Sequence, residues 1–312
     1  MLLALALFAC TGNDDQQVDS SGDSAQEDTA PDPDTIPVWE QHRIETNSTI
    51  FGIYASGAGV YVVGSGGYAW LGGSDGDWTY MDIDVDDADL TDLWGQGQDA
   101  DTILAASTTI GTVAQYAGGT WNTGSLGDTS QLEAVGGSSA SALFAVGFGR
   151  AWAYDGTSWA YEALPNNERL NDVYADGQQA FAVGDGGDCV RRKDGAWSAC
   201  DTGSTSDLHG VAGSSIDDVF VVGGEGLVLR WDGSEWKTLQ SPTTETLWAV
   251  FVPEEGVAVV VGSKGLAYEY QNGEWTKLPT GVDNNLYCVH GVSSSNFWAA
   301  GNLGMTLHYK AQ

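Results

Sequence analysis

Catalysis and metal binding need nucleophiles, acids, bases or ligands at short, regular spacings, and this 312-residue chain offers few of them. Its one G-x-S-x-G pattern, Gly72-Gly73-Ser74-Asp75-Gly76, has the composition of a nucleophile elbow, which must join a strand to a helix. Here a Trp-led strand follows, so the residues read as a strand-to-strand hairpin. Four His occur, at 42, 209, 290 and 308, and none is at metal-ligand spacing, so a zinc site has little support. The dense acidic run from Asp82 to Asp89 places Asp82, Asp84 and Asp86 at alternate positions, a weak candidate for hard oxygen ligation of Ca²⁺. It lacks the turn-forming Gly of an EF-hand loop, and alternating Asp on a connection otherwise reads as a solvated edge. No strict dinucleotide, phosphate-loop, zinc-protease or paired C-x-x-C motif is present, and no cofactor is expected.

Charge excludes more than the motifs do. The chain carries 43 acidic and 11 basic side chains, a net charge of −32. A phosphate backbone must be met by Lys and Arg, so nucleic acid is not an expected partner. An anionic membrane surface is disfavoured for the same reason. Thirteen Trp, 12 Tyr and 8 Phe are ample for a packed core, and 43 Gly against 7 Pro point to many tight turns.

Residues 1–10 read as an export address. Met1 to Ala9 is a run of nine apolar residues, far short of the roughly 20 that span a bilayer. Leu7-Phe8-Ala9-Cys10 resembles the bacterial lipobox, which implies lipidation at Cys10 and, with Thr11 following, the outer membrane. Phe8 is bulkier than that pattern favours and no basic residue precedes the run; an ordinary cleaved signal with an incidental Cys is the alternative. Residues 11–37 are Asp-, Ser- and Pro-rich with no Lys or Arg, and are expected to form a disordered acidic tether. Eight of the acids fall within 11–36, which leaves 35 acids against 11 bases beyond it, a net of −24.

From residue 38 a repeat of about 39 residues organises the chain. The pattern apolar-x-x-apolar begins at Ile50, Leu90, Leu132, Leu170, Leu208, Leu247 and Leu286, and six of the seven are followed by an apolar run ending in Gly, of which Phe144–Gly147 and Phe220–Gly223 are clear members, Ile103-Leu104-Ala105-Ala106 being the degenerate copy. A third stretch ends in turns such as Tyr154-Asp155-Gly156, and a fourth opens on Trp78, Trp121, Trp159, Trp197, Trp236 or Trp275. Four short strands per unit, separated by turn residues, predict an all-β, seven-bladed β-propeller of four-stranded antiparallel blades over 38–312. The last unit lacks its Trp-led strand, whereas Val38-Trp39-Glu40-Gln41 stands 39 residues before Trp78, in phase. The N-terminal strand is therefore expected to close the ring.

Counting outward from the Asp194-Gly195 turn sets Arg192 opposite Trp197 and Cys189 opposite Cys200. In an oxidising compartment this predicts a Cys189–Cys200 disulfide, with Cys288 free and buried, provided that the pair falls at a site without ladder hydrogen bonds. The residue after each apolar-x-x-apolar strand is Tyr54, Trp94, Gly136, Tyr174, Ala212, Phe251 or His290. Tyr54, Trp94, Tyr174, Phe251 and His290 are thus candidates for a ligand-stacking rim, with blade packing as the structural alternative.

The combined pattern L-x-x-V, F-x-V-G, Y-D-G-x-x-W resembles exported bacterial propeller lipoproteins and, more distantly, the photosystem-assembly-factor and Asp-box propellers. The resemblance implies fold more than function. The Arg cluster of Asp-box sialidases and the basic patch of the assembly factors have no counterpart among the six Arg of this chain. The expected function is a non-catalytic, monomeric recognition or scaffold module for an envelope or extracellular protein, touching membrane only through its lipid anchor. A propeller lectin for a glycan is the alternative, and a hydrolase or lyase with a central-funnel site is the second.

Overall fold

The computed structural model describes residues 38–73, 76–83, 85, 88–97, 102–107, 111–127 and 131–311. Cys10, the signal and tether segments, Ser74, Asp75, Asp84 and Asp86 lie outside the described residues. The described strands fall into seven four-stranded antiparallel sheets, which are the blades of a β-propeller. The first sheet takes Ile50–Ser56, Gly59–Gly64, Ala69–Gly72 and Trp78–Met81, so each repeat supplies four strands in chain order. The last sheet departs from that order: Leu286–Ser293, Asn296–Gly301 and Met305–Lys310 are completed by Val38–Arg43. Trp39 pairs with Tyr309 and Glu40 with His308, which brings the two ends of the fold into one ladder and removes an open edge.

The second strand of each repeat is a continuous apolar run because it is covered on both faces. Ala142–Gly147 and Val257–Gly262 are buried at every position. The apolar clusters each straddle two successive sheets, and one of them joins the last sheet to the first through Ile44, Ile50, Val62, Cys288, Trp298 and Ala300. Trp39 is 8% exposed, with Phe297 and Tyr309 ring centroids at 5.3 and 5.1 Å. Arg191 and Arg192, neighbours on one strand, point to opposite faces. Arg192 makes a bidentate pair with Glu162 (2.7 Å to each oxygen) over the Phe144 ring, while Arg191 lies against Phe181 and Trp231. Each arginine thus pins a different neighbouring sheet.

The hairpins before the Trp-led strands are of two kinds. Asp194-Gly195 and Asn272-Gly273 have positive φ at both central residues, the two-residue turn whose twist matches the flanking strands. In the Asp155 and Asp232 copies four residues intervene. There the Asp carboxylate accepts the amides of the two residues that close the turn, so the side chain replaces the tight backbone turn. Gly72 and Trp78 end and begin two paired strands, so the G-x-S-x-G residues join strand to strand with no helix following.

Cys189 and Cys200 form a disulfide with Cα atoms 5.1 Å apart, and Cys288 is free and buried. The expected absence of ladder hydrogen bonds at this pair is corrected: the Cys200 amide donates to the Cys189 carbonyl at 2.8 Å. The strand ends at Ala199, so Cys200 sits just past the regular ladder, where its side chain is free to turn towards Cys189.

Two outcomes are expected. Trp39→Ala should destabilise the fold by about 3–5 kcal/mol, the cost of truncating a buried Trp, and an unchanged melting point would show that the closing strand contributes nothing. Reduction of Cys189–Cys200, which closes a loop with a sequence separation of 11, should lower stability by about 3 kcal/mol on chain-entropy grounds. Denaturant unfolding with and without reductant measures it, with peptide mapping under non-reducing conditions to confirm the linkage.

Candidate functional site

The innermost strand of every sheet begins with the apolar-x-x-apolar pattern, and every one is irregular at the same place. The register against the second strand shifts between Ile50 and Gly52, Leu90 and Asp92, Leu132 and Ala134, Leu170 and Asp172, Leu208 and Gly210, Leu247 and Ala249, and Leu286 and Cys288. One residue in each strand is thus left out of the ladder, a β-bulge that re-aims its side chain. All seven bulged residues line one cavity of about 320 Å³, to which every innermost strand contributes.

Their chemistry divides the cavity in two. His209, Trp248, Tyr287 and Phe51 come from four sheets that follow one another round the ring, the last sheet packing against the first. Their rings form a continuous arc, with centroids 4.5, 5.4 and 6.0 Å apart in that order. Trp248 Nε1 donates to Ser263 Oγ at 3.1 Å, which fixes the indole at the cavity wall. Burial pulls the His209 pKa down, so its ring behaves as a neutral member of the arc. The opposite side carries Thr91, Glu133 and Asn171. Glu133 pairs with Arg169 at 2.8 Å, Thr91 donates to the Leu132 carbonyl, and Asn171 donates to the Leu208 carbonyl and to Asp185.

Two half-buried carboxylates, Asp92 and Asp172, line the same cavity. Asp92 accepts the amides of Leu93 (2.7 Å) and, on the next innermost strand, Val135 (2.9 Å). Asp172 accepts those of Val173 and, again on the next strand, Val211, both at 2.7 Å. Each carboxylate satisfies amides beside a bulge and staples its strand to the following one. Desolvation pushes both carboxyls well above the ordinary range, and Asp172 raises Asp92 further.

The rim proposed from sequence sits one turn of the pleat further along the same strands. Trp94, Tyr174, Phe251 and His290 line the cavity, but Tyr54 does not; it is 6% exposed, and its hydroxyl donates to the Gly97 carbonyl at 2.8 Å. Tyr54 is therefore corrected from an exposed rim residue to a packing one. A Cβ on Gly95 would meet the Tyr54 ring at 2.4 Å, and one on Gly213 would meet the Tyr174 ring at 2.7 Å. These aromatics reach over a glycine of the next sheet, as wedges between blades. His290 Nδ1 accepts the Ala55 amide at 3.1 Å between the Tyr54 and Phe251 rings, and desolvation lowers its pKa to about 4.

Sequence reasoning missed the bulged set. Its signal was present, since position two of the pattern reads Phe51, Thr91, Glu133, Asn171, His209, Trp248 and Tyr287, with aromatics and His in consecutive repeats. A strict strand alternation would turn that position away from the cavity, and only the bulge turns it inward. The four His stand at no metal-ligand spacing in the sequence, yet two of them approach each other in the fold. Ring closure gathers Glu40, His42 and His308, with potential ligand atoms all within 4.8 Å of one another. Of the Ca²⁺ candidates only Asp82 is described, and it is exposed.

These two carboxylates generate a pH prediction. A carboxyl whose folded pKa is raised holds more protons folded than unfolded between about pH 4, its ordinary value, and its raised value. Stability then falls as pH rises through that window. We expect Asp92→Asn to lower stability by about 1–3 kcal/mol through the lost backbone acceptor and to flatten the decline in Tm between acid and neutral pH. Parallel pH profiles for wild type and variant would contradict the assignment.

No protein-family model and no curated protein matches the chain. Solved structures do. The chain is similar to YCF48 bound to D1 peptide, with a TM-score of 0.71 at 15% identity over 89% of this chain and 100% of that one. It is similar to a catalytically inactive virginiamycin B lyase from Staphylococcus aureus with quinupristin (0.77, 12%, 87% and 99%). It is also similar to the WD40 β-propeller domain of Doa1 (0.74, 10%, 89% and 98%). At these identities the likeness is one of fold.

Proposed function

We propose that the chain is a non-catalytic recognition propeller that holds a segment of a protein partner at the bulged end of its channel. The seven sheets are read as seven blades of one ring, acting as a monomer. The observation that carries the proposal is the split cavity, a four-ring stacking arc facing Glu133, Asn171 and Thr91. Such a surface stacks on flat or aliphatic groups and hydrogen-bonds a peptide backbone. The similar fold of YCF48 bound to D1 peptide supports a peptide-holding role here. The net charge of −24 beyond residue 36 favours a basic patch on the partner. Export, lipidation at Cys10, tethering through 11–37 and outer-membrane placement complete the proposal, on the strength of the lipobox resemblance.

The test is affinity capture from native envelopes with residues 11–312, comparing wild type with two sets of truncations. Joint substitution of His209, Trp248 and Tyr287 by Ala should abolish capture while circular dichroism stays unchanged. Capture should also weaken as salt rises, since exposed charges are screened beyond about 10 Å at 0.1 M. Loss of capture only on truncating Trp94, Tyr174 and Phe251 would move the site to the other end of the cavity. Retention of an envelope glycan on an array, with no protein captured, would replace the proposal with the lectin reading.

A further inference from the structure

The strand that closes the ring brings together three side chains that share one face of its ladder. Glu40 stands directly opposite His308, and His42 lies two residues further along the strand on the same side. Glu40 Oε2 is 3.8 Å from His42 Nε2 and 3.8 Å from His308 Nδ1. Both of those ring nitrogens are buried, and neither has a hydrogen-bond partner among the described residues.

His308 makes the arrangement informative. Its side chain is only 5% exposed and stacks on Trp298, ring centroids 4.0 Å apart and planes 17° apart. Its other nitrogen, Nε2, lies 2.8 Å from Asn296 Oδ1, an acceptor, which sets the hydrogen on Nε2 and leaves a lone pair on Nδ1. That lone pair faces a carboxylate oxygen. A neutral Nδ1 facing a carboxylate oxygen gains from that approach only when a proton or a metal cation lies between them. A histidine whose second nitrogen donates to a fixed acceptor is also how metal-ligating imidazoles are oriented.

We propose that Glu40, His42 and His308 form a binding site for a divalent transition-metal cation of the zinc type, which ties the N-terminal strand to the C-terminal strand. Two imidazoles and one carboxylate suit Zn²⁺ and its neighbours, whereas Ca²⁺ and Mg²⁺ take oxygen ligands. Bonds of about 2.0–2.1 Å in a tetrahedron put ligand atoms roughly 3.4 Å apart, so the widest pair, within 4.8 Å, closes through the partly exposed His42, and the two separations of 3.8 Å need only a small contraction. The half-exposed Glu40 supplies that movement. The Glu40 carboxylate, on an exposed side chain, opens the site to solvent. Lys310 Nζ, 3.0 Å from Glu40 Oε2, is the competitor; it is 42% exposed and swings out as the cation enters. Because the ligands come from strands more than 260 residues apart in sequence, the complete site exists only in the closed ring. The cation therefore stabilises closure by mass action. The inference is independent of the channel reading.

The experiment strips the full chain with a chelator and titrates it with Zn²⁺. Calorimetry should show one saturable site, and Tm should rise by several degrees and keep rising with the logarithm of free Zn²⁺. Co²⁺ should give the visible absorption of a low-symmetry N/O site. Glu40→Gln and His42→Gln, on partly exposed positions, should fold and lose both binding and the Tm shift. Asn296→Ala should weaken binding about 10–100-fold, and Lys310→Gln should tighten it. No saturable Zn²⁺ binding would overturn the proposal. So would a Tm shift that Ca²⁺ reproduces, or one that survives in both Glu40→Gln and His42→Gln.

Discussion

Antiparallel pairing of Val38–Arg43 with Met305–Lys310 is the interaction on which the rest depends. Each sheet buries one face against the sheet before it and one against the sheet after it, so an open row would leave two apolar faces exposed. Closure removes both. It places Trp39 between Phe297 and Tyr309, and it seals the last sheet to the first through Ile50, Cys288 and Trp298. Only in a closed ring do the innermost strands enclose a shared cavity. The cluster of Glu40, His42 and His308 is a direct product of the same ladder.

Division of labour within the innermost strand explains how one repeat can be both scaffold and site. The two apolar residues of the pattern pack between sheets, and Leu90, Leu132, Leu170 and Leu208 are fully buried. The bulged residue between them is released from the ladder and points to the cavity. Its identity can change from Glu133 to Trp248 without disturbing the interface. That freedom produces the asymmetry of the cavity, aromatic across the sheets of His209, Trp248, Tyr287 and Phe51 and polar across those of Thr91, Glu133 and Asn171. Asp92 and Asp172 extend the same logic. They satisfy amides beside the bulges and link successive strands, so each carboxylate serves the backbone.

Acidity and sparse basic residues fit this architecture. Arg191, Arg192 and Arg230 are held over aromatic rings, and Arg192 and Arg230 are also paired with carboxylates. Arg191 and Arg192 act as inter-sheet pins and Arg230 is held within its own sheet, which leaves the surface charge dominated by Asp and Glu. A surface of this charge repels polyanions.

The repeat, the four strands of each unit, the closing role of Val38–Gln41 and the Cys189–Cys200 bridge were legible in the sequence, because each depends on local spacing: strand length, turn residues, register counted from a hairpin. The turn chemistry was legible only in part, since Asp155-Gly156 and Asp194-Gly195 share a dipeptide but differ in whether the Asp side chain captures the turn amides. What tertiary structure alone decided is which residue of L-x-x-V faces the cavity and which distant residues meet. A bulge arises from matching two strands of unequal count, which spacing does not show, so the rim was assigned to the residue after each pattern, Tyr54 among them, and Phe51 was missed. His42 and His308 are neighbours because the chain returns to its start, and the spacing that marks the closing strand does not set the register that brings their side chains together.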